Sequence, residues 1–129
     1  MFRPTSVWPT SSSPNGGGRP RANPTMADCV LDASAILALV RGEPGADVVR
    51  GRIPRSLVST VNVAEVGTKL VDWGMSSVGL RRVVLGLGFE VRPFDANQAL
   101  AAAALRAATR SRGLALGDRA CLALAQSTG

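Results

Sequence analysis

The chain contains no histidine and no tyrosine. The first absence excludes Ser-His-Asp hydrolysis, histidine acid–base nucleases and histidine-ligated zinc, and the second excludes a tyrosine nucleophile. The two cysteines, Cys29 and Cys121, lie in apolar runs without other soft ligands, which is typical of buried free thiols rather than of a disulfide or a zinc site. If the chain is an enzyme, carboxylates must carry its polar chemistry, with a hard metal ion as their partner.

Long apolar runs and lysine are also scarce. No run approaches the roughly 20 residues that a bilayer span requires, and residues 1–25 lack the continuous apolar segment of a secretory signal. We therefore expect a cytoplasmic protein. Lys69 is the single lysine, and arginine supplies every other basic residue behind the formal net charge of +6. Arginine suits a polyanionic partner, although the same usage can follow from genome composition.

Residues 1–25 differ in composition from the remainder of the chain. They hold five prolines, a serine run, a glycine run and three arginines, with no acidic residue. Such a segment buries too little apolar surface to offset its ordering entropy, so we expect it to be disordered. Met26 lies just before the first credible strand and is the expected natural start. Residues 26–129 then form one small domain.

Strand and helix patterns alternate along residues 26–129. Short apolar runs predict strands at 29–31, 57–59 and 89–91. Helical patterns begin near Ile36 and predict helices over 36–40, 44–50, 60–73, 76–88, 96–110 and 120–126. This alternation is typical of an α/β fold with a parallel sheet and helices on both faces. Because residues 127–129 resemble the exit turn of a helix, we expect the last strand position to be vacant, and an open sheet edge invites association.

Asp32 directly follows the first predicted strand and precedes the first predicted helix. In an open α/β sheet this position faces the crevice at the carboxyl ends of the strands, where ligands bind. An acid there is costly unless a cation, a donor or water meets it. The alternative is that Asp32 or Ser34 only caps the helix, and the local sequence does not decide between the two.

Two further acids stand in comparable positions. Glu65 lies in the second turn of the helix after the second strand, and Asp118 lies at the mouth of the last helix. Each also has a structural interpretation, since Glu65 would complete a capping box with Asn62 and Asp118 would be an N-cap. If the helix instead begins at Ser59 or Thr60, Asn62 and Glu65 share one face. The functional interpretation rests on the three acids occurring together.

Three carboxylates brought close together repel one another, so at least one stays protonated unless a cation joins them. Mg²⁺ or Mn²⁺ satisfies this arrangement because hard cations prefer carboxylate oxygens and retain waters. A metal-bound water is a stronger nucleophile than bulk water, and the metal neutralises charge that develops on a phosphorane-like transition state. This chemistry cleaves phosphodiester bonds without histidine.

Three segments resemble the successive motifs of PIN-domain ribonucleases, in particular the VapC-type toxins of bacterial toxin–antitoxin systems. They are 30–39 (VLDASAILAL), 59–66 (STVNVAEV) and 114–125 (LALGDRACLALA). The order and spacing of the segments match the family over residues 26–129. The resemblance implies a PIN-like domain with the corresponding parallel sheet.

The resemblance also implies a function. The chain would be a metal-dependent endoribonuclease using Mg²⁺ or Mn²⁺, with Asp32, Glu65 and Asp118 as its catalytic, metal-binding acids. Ser34 would support the site by hydrogen bonding, and Asn62 lies beside it. The family acts on structured RNA such as tRNA, is inhibited by a cognate antitoxin and forms homodimers.

The sequence departs from the family at its C-terminus. The family pattern continues with a strand and a Thr-x-Asp motif that supplies another acid, whereas this sequence ends at Gly129. We therefore expect weakened or lost nuclease activity, and the alternative function is a non-catalytic remnant that binds only an antitoxin or itself. Asp95 matches a recurrent family acid, but we interpret it as a helix N-cap. Lys69, mid-helix, disfavours a phosphoacceptor receiver domain, and Ser34 disfavours an Asp-x-Asp phosphohydrolase.

Overall fold

The computed structural model describes residues 7–9 and 29–128. The strands are β1 (Val7–Pro9), β2 (Cys29–Leu31), β3 (Ser56–Ser59) and β4 (Glu90–Arg92). The helices are α1 (Ala33–Arg41), α2 (Ala46–Arg52), α3 (Thr60–Asp72), α4 (Ser77–Gly86), α5 (Ala96–Thr109) and α6 (Leu116–Ser127), with 3₁₀ turns at Ile53–Arg55 and Arg110–Arg112. Within the described residues, no helix combines the length and apolar character needed to cross a membrane.

The strands form one sheet in the order β1-β2-β3-β4. β2, β3 and β4 are parallel, with Cys29 opposite Ser56 and Leu57 opposite Glu90. The predicted parallel α/β sheet is therefore confirmed. Because parallel strands end at the same edge, the residues after β2 and β3 lie at one crevice, and both strands lead directly into helices there.

Apolar side chains cover both faces of this sheet. Side chains alternate along a strand, so Leu31 and Val58 join a core with helices α1 to α4, whereas Val30 and Leu57 face α6. The α6 layer is completed by Cys121, Leu124 and Ala125. This arrangement confirms the prediction of helices on both faces, and both cysteines are buried free thiols as expected.

Two helices begin earlier than the apolar pattern predicted. α1 begins at Ala33 rather than near Ile36, because the Asp32 side chain caps it. α6 begins at Leu116 rather than at Ala120, because its first turn, in which charged residues follow Leu116 and Gly117, is stabilised by a hydrogen bond from the Ala115 N–H to the Asp118 carboxylate. In both helices a capping contact, not an apolar residue, determines the first turn.

Val7–Pro9, which lie in the segment expected to be disordered, form β1 antiparallel to β2, and the disorder of residues 1–25 stays a prediction. Without a neighbour on that side, β2 would expose unpaired backbone groups, and an extended segment satisfies them. The remainder of 1–25, the proposed start at Met26 and the terminal Gly129 lie outside the described residues. Within residues 29–128, no strand follows α6.

Candidate active site

Asp32 is held at the junction between β2 and α1. The residue is only 7% exposed, and its Oδ1 accepts a hydrogen bond from the Ala35 N–H at 3.0 Å. Asp32 is therefore the N-cap of α1, as the structural interpretation predicted. The cap leaves binding capacity, because an ionised carboxylate has two oxygens with about four lone-pair sites.

The surroundings of Asp32 disfavour its charged form. Its pKa is raised from 3.8 to about 6, mainly by burial, while the Ala35 N–H lowers it and the charges of Asp118 and Glu65 raise it further. Charges perturb one another in this way only over short distances. The three acids singled out from the sequence are therefore electrostatic neighbours, an arrangement that is enriched at functional sites.

Glu65 is positioned by α3, whose N-cap is Ser59. The Ser59 Oγ accepts a hydrogen bond from the Val61 N–H at 3.2 Å, so the capping box that would start at Asn62 is not formed. Asn62 and Glu65 instead share one helix face, and Asn62 Nδ2 donates to Glu65 Oε1 at 2.9 Å. Although Glu65 is exposed, its carboxylate lies against the first turn of α6, opposite Gly117.

Asp118 lies half-buried in the first turn of α6, one residue after Gly117. Its Oδ2 accepts a hydrogen bond from the Ala115 N–H at 3.1 Å, so it stabilises the helix start from within and is not itself the N-cap. Asn62 Nδ2 also donates to the carbonyl oxygen of Gly117 at 3.2 Å. This contact ties α3 to α6 and brings Glu65 beside the turn that carries Asp118.

Two other candidates from the sequence have different surroundings. The backbone N–H of Ser34 lowers the pKa of Asp32, whereas its exposed side chain lines a cavity of about 530 Å³ that Arg41, Lys69 and Trp73 also line. Hydrogen-bonding support from the Ser34 hydroxyl stays a prediction.

Asp95 is the N-cap of α5 as predicted, since its Oδ1 accepts a hydrogen bond from the Gln98 N–H at 2.9 Å.

The three acids suit a divalent cation by their chemistry. Carboxylate oxygens are the ligands that Mg²⁺ and Mn²⁺ prefer, and the mutual repulsion felt at Asp32 is what a cation relieves. Over residues 29–128, however, no three cysteine, aspartate or glutamate side chains stand in an arrangement that could hold an ion as they lie. Joint coordination of one ion by Asp32, Glu65 and Asp118 therefore stays a prediction.

Comparison with known proteins identifies the family. The family model of the PIN domain matches residues 29–129. The chain is 36% identical over 110 residues to VapC ribonuclease Mb2780c of Mycobacterium bovis and to Ribonuclease VapC42 of Mycobacterium tuberculosis, and each match covers 78% of this chain and 84% of the relative. A solved toxin–antitoxin complex from Klebsiella pneumoniae shares the fold, with a TM-score of 0.56 and 20% identity over 73% of this chain and 74% of that chain. The chain therefore belongs to the PIN-domain family, in which its relatives are VapC ribonucleases.

Proposed function

We propose that the chain is a metal-dependent endoribonuclease of the VapC toxin type that hydrolyses phosphodiester bonds in RNA. One observation carries the proposal: Asn62 holds the Glu65 carboxylate against the α6 turn that carries Asp118, and the charges of both acids raise the pKa of Asp32. Relatives named as ribonucleases in the same family support it. The absence of histidine and tyrosine leaves carboxylates as the groups for this chemistry.

In this proposal Asp32, Glu65 and Asp118 hold Mg²⁺ or Mn²⁺ and are the catalytic acids. When bound, the ion supplies an activated water and neutralises charge on the phosphate. Asp32 must lose its proton before it binds a cation, so its raised pKa predicts weaker binding below a pH of about 6. The N-cap of α6 is Ala115, which has no side-chain acceptor, so the positive end of this helix suits a substrate phosphate beside Asp118.

An antitoxin is the proposed protein partner. A solved structure that shares this fold is a toxin–antitoxin complex from Klebsiella pneumoniae. An apolar groove of about 520 Å³ between α3 and α4 suits the apolar face of an antitoxin helix, and its lining includes Val63, Val71, Leu80 and Leu85. We further propose that the chain acts in the cytoplasm as a homodimer on structured RNA such as tRNA.

Cleavage of RNA by the purified chain tests the nuclease function. Total tRNA is incubated with the wild type and with Asp32→Ala, each with Mg²⁺, with Mn²⁺ and with EDTA, after circular dichroism has shown that both are folded. The expected result is internal cleavage by the wild type that requires the cation and is lost in the variant. Cleavage that persists in EDTA or in Asp32→Ala, or no cleavage by the folded wild type, would overturn the proposal.

A non-catalytic antitoxin binder is the second candidate function. It is favoured by the lack, across residues 29–128, of a three-residue group arranged to hold an ion. Calorimetric titration with Mn²⁺ separates the two candidates. Binding that Asp32→Ala removes supports the nuclease, whereas a wild type that binds no Mn²⁺ and leaves tRNA intact supports the binder.

A further inference from the structure

A polar link between α3 and α6 fixes the place of the Glu65 carboxylate. Asn62 is 1% exposed, and its Nδ2 donates both to Glu65 Oε1 at 2.9 Å and to the Gly117 carbonyl oxygen at 3.2 Å. Both partners are acceptors, so the amide nitrogen must be the atom that faces them. Asn62 thus connects an acid of the candidate site to the helix turn that carries Asp118.

Gly117 occupies the other side of the same carboxylate. A Cβ at this position would lie 2.6 Å from the Glu65 carboxyl carbon and from Oε2, and nearer still to Oε1. The backbone of Gly117 does not require glycine, because it is not among the residues with positive φ. The space that the missing side chain leaves is therefore filled by Glu65, not demanded by a turn.

We propose that Asn62 and Gly117 are a pair of positioning residues for Glu65. Asn62 anchors one carboxylate oxygen, and the bare α-carbon of Gly117 makes room for the group next to Asp118. The inference rests on the proposed function, in which Glu65 and Asp118 bind the same cation. It goes further by naming two uncharged residues on which that arrangement depends.

The buried side chain of Asn62 is better explained by a role in positioning Glu65 than by a contribution to the stability of the fold. Its Oδ1 is buried and has no hydrogen-bond partner. A buried polar atom without a partner destabilises the folded chain, and an apolar residue of similar size avoids that cost. An amide at this position is therefore unfavourable for packing alone but is suited to donate to the two acceptors that flank it.

Gly117→Ala displaces Glu65 without removing any acid. The atoms in the way are the end of a flexible side chain, so we expect the variant to fold and the carboxylate to turn aside. Mn²⁺ affinity, measured by calorimetry, should fall by about tenfold or more, and Glu65→Gln with Gly117→Ala should bind no more weakly than Glu65→Gln alone. The matched control is Gly51→Ala in α2, where a Cβ meets no atom within 4 Å.

Asn62→Leu separates positioning from stability. The variant removes the donor and also the unpartnered oxygen, so we expect a melting temperature equal to or above that of the wild type together with reduced Mn²⁺ affinity. A purely structural Asn62 predicts the opposite, a lower melting temperature and unchanged affinity for Mn²⁺ in the folded fraction. That opposite result would overturn the role assigned to Asn62.

An NMR measurement that needs neither metal nor RNA tests this inference separately from the proposed function. The side-chain amide resonances of Asn62 in ¹⁵N-labelled full-length protein report its two hydrogen bonds. They should shift in Gly117→Ala and in Glu65→Gln but not in Gly51→Ala. Unchanged resonances in Gly117→Ala, or an unchanged Mn²⁺ affinity in that variant when the wild type does bind Mn²⁺, would overturn the inference. A wild type that neither binds Mn²⁺ nor cleaves RNA contradicts the proposed function, and the amide resonances still decide whether Asn62 and Gly117 position Glu65.

Discussion

Asp32 and Glu65 are held at the same crevice in opposite ways. Asp32 follows a strand whose residues are all buried, and a backbone N–H anchors its carboxylate. Glu65 is exposed in the second turn of α3, and it is anchored by the side chain of Asn62 and accommodated by the missing side chain of Gly117. A backbone contact thus holds Asp32 on one side of the candidate site, whereas side-chain contacts hold Glu65 on the other side, beside the α6 turn that carries Asp118. The two sides should respond differently to the same substitution.

The largest expected effect is common to both sides. Asp32→Asn and Asp118→Asn each remove a negative charge that the proposed cation requires, so cleavage of tRNA should fall by about a hundredfold or more in each variant. Asp95→Asn is the matched control, because asparagine still caps α5 and Asp95 is outside the proposed ligand set. Initial rates of cleavage at saturating Mg²⁺ provide the measurement. Full activity in either site variant would remove that acid from the proposed site.

The free energy of unfolding should respond differently to substitution of Asp32 and of Asp118, and at Asp32 the response should depend on pH. The folded chain holds a proton at Asp32 up to a pH of about 6, whereas the unfolded chain releases it near 3.8, so the free energy of unfolding falls as pH rises between these values. Above a pH of about 6 the folded chain carries the whole penalty, on the order of 3 kcal/mol for this change in pKa. Asp32→Asn should therefore stabilise the metal-free chain at pH 8 and not at pH 3.5. Urea unfolding at both values tests this, and a gain that does not depend on pH would contradict it.

Replacing Asp118 by asparagine should change the free energy of unfolding in the opposite direction, towards lower stability. Asp118 is half-buried, and its charge lies in the first turn of α6, where negative charge stabilises the helix. Asp118→Asn should therefore lower the free energy of unfolding by about 0.3–1 kcal/mol at pH 8. Urea unfolding measures it beside Asp32→Asn under identical conditions. Stabilisation by Asp118→Asn would show that burial and charge repulsion affect Asp118 more strongly than its favourable interaction with the start of α6, as they do at Asp32.

The place of Asp32 in the fold was easier to predict from the sequence than the contacts around Glu65. Asp32 was predicted because a buried apolar run and a following helical pattern are local signals, and the junction between them defines its place. The contact of Asn62 with Gly117 joins residues 55 positions apart, which no local pattern reveals. The predicted start of α6 is too late because its first turn contains a glycine and two charged residues, and Asp118 stabilises that turn from within. An aspartate in a sequence is a possible helix cap wherever it occurs, so it predicts a helix start only when the structure shows that the capping hydrogen bond is formed.

The smallest expected effect tests how far the position of Glu65 depends on the N-cap of α3. Ser59 caps α3 and Ser76 caps α4, each through its side-chain oxygen. Replacing either serine by alanine should cost about 1 kcal/mol of stability. Only Ser59→Ala loosens the turn that carries Asn62, so only this variant should also weaken Mn²⁺ binding, by less than Gly117→Ala does. Equal Mn²⁺ affinity in Ser59→Ala and Ser76→Ala would indicate that the link from Asn62 to Gly117 holds Glu65 without help from the cap.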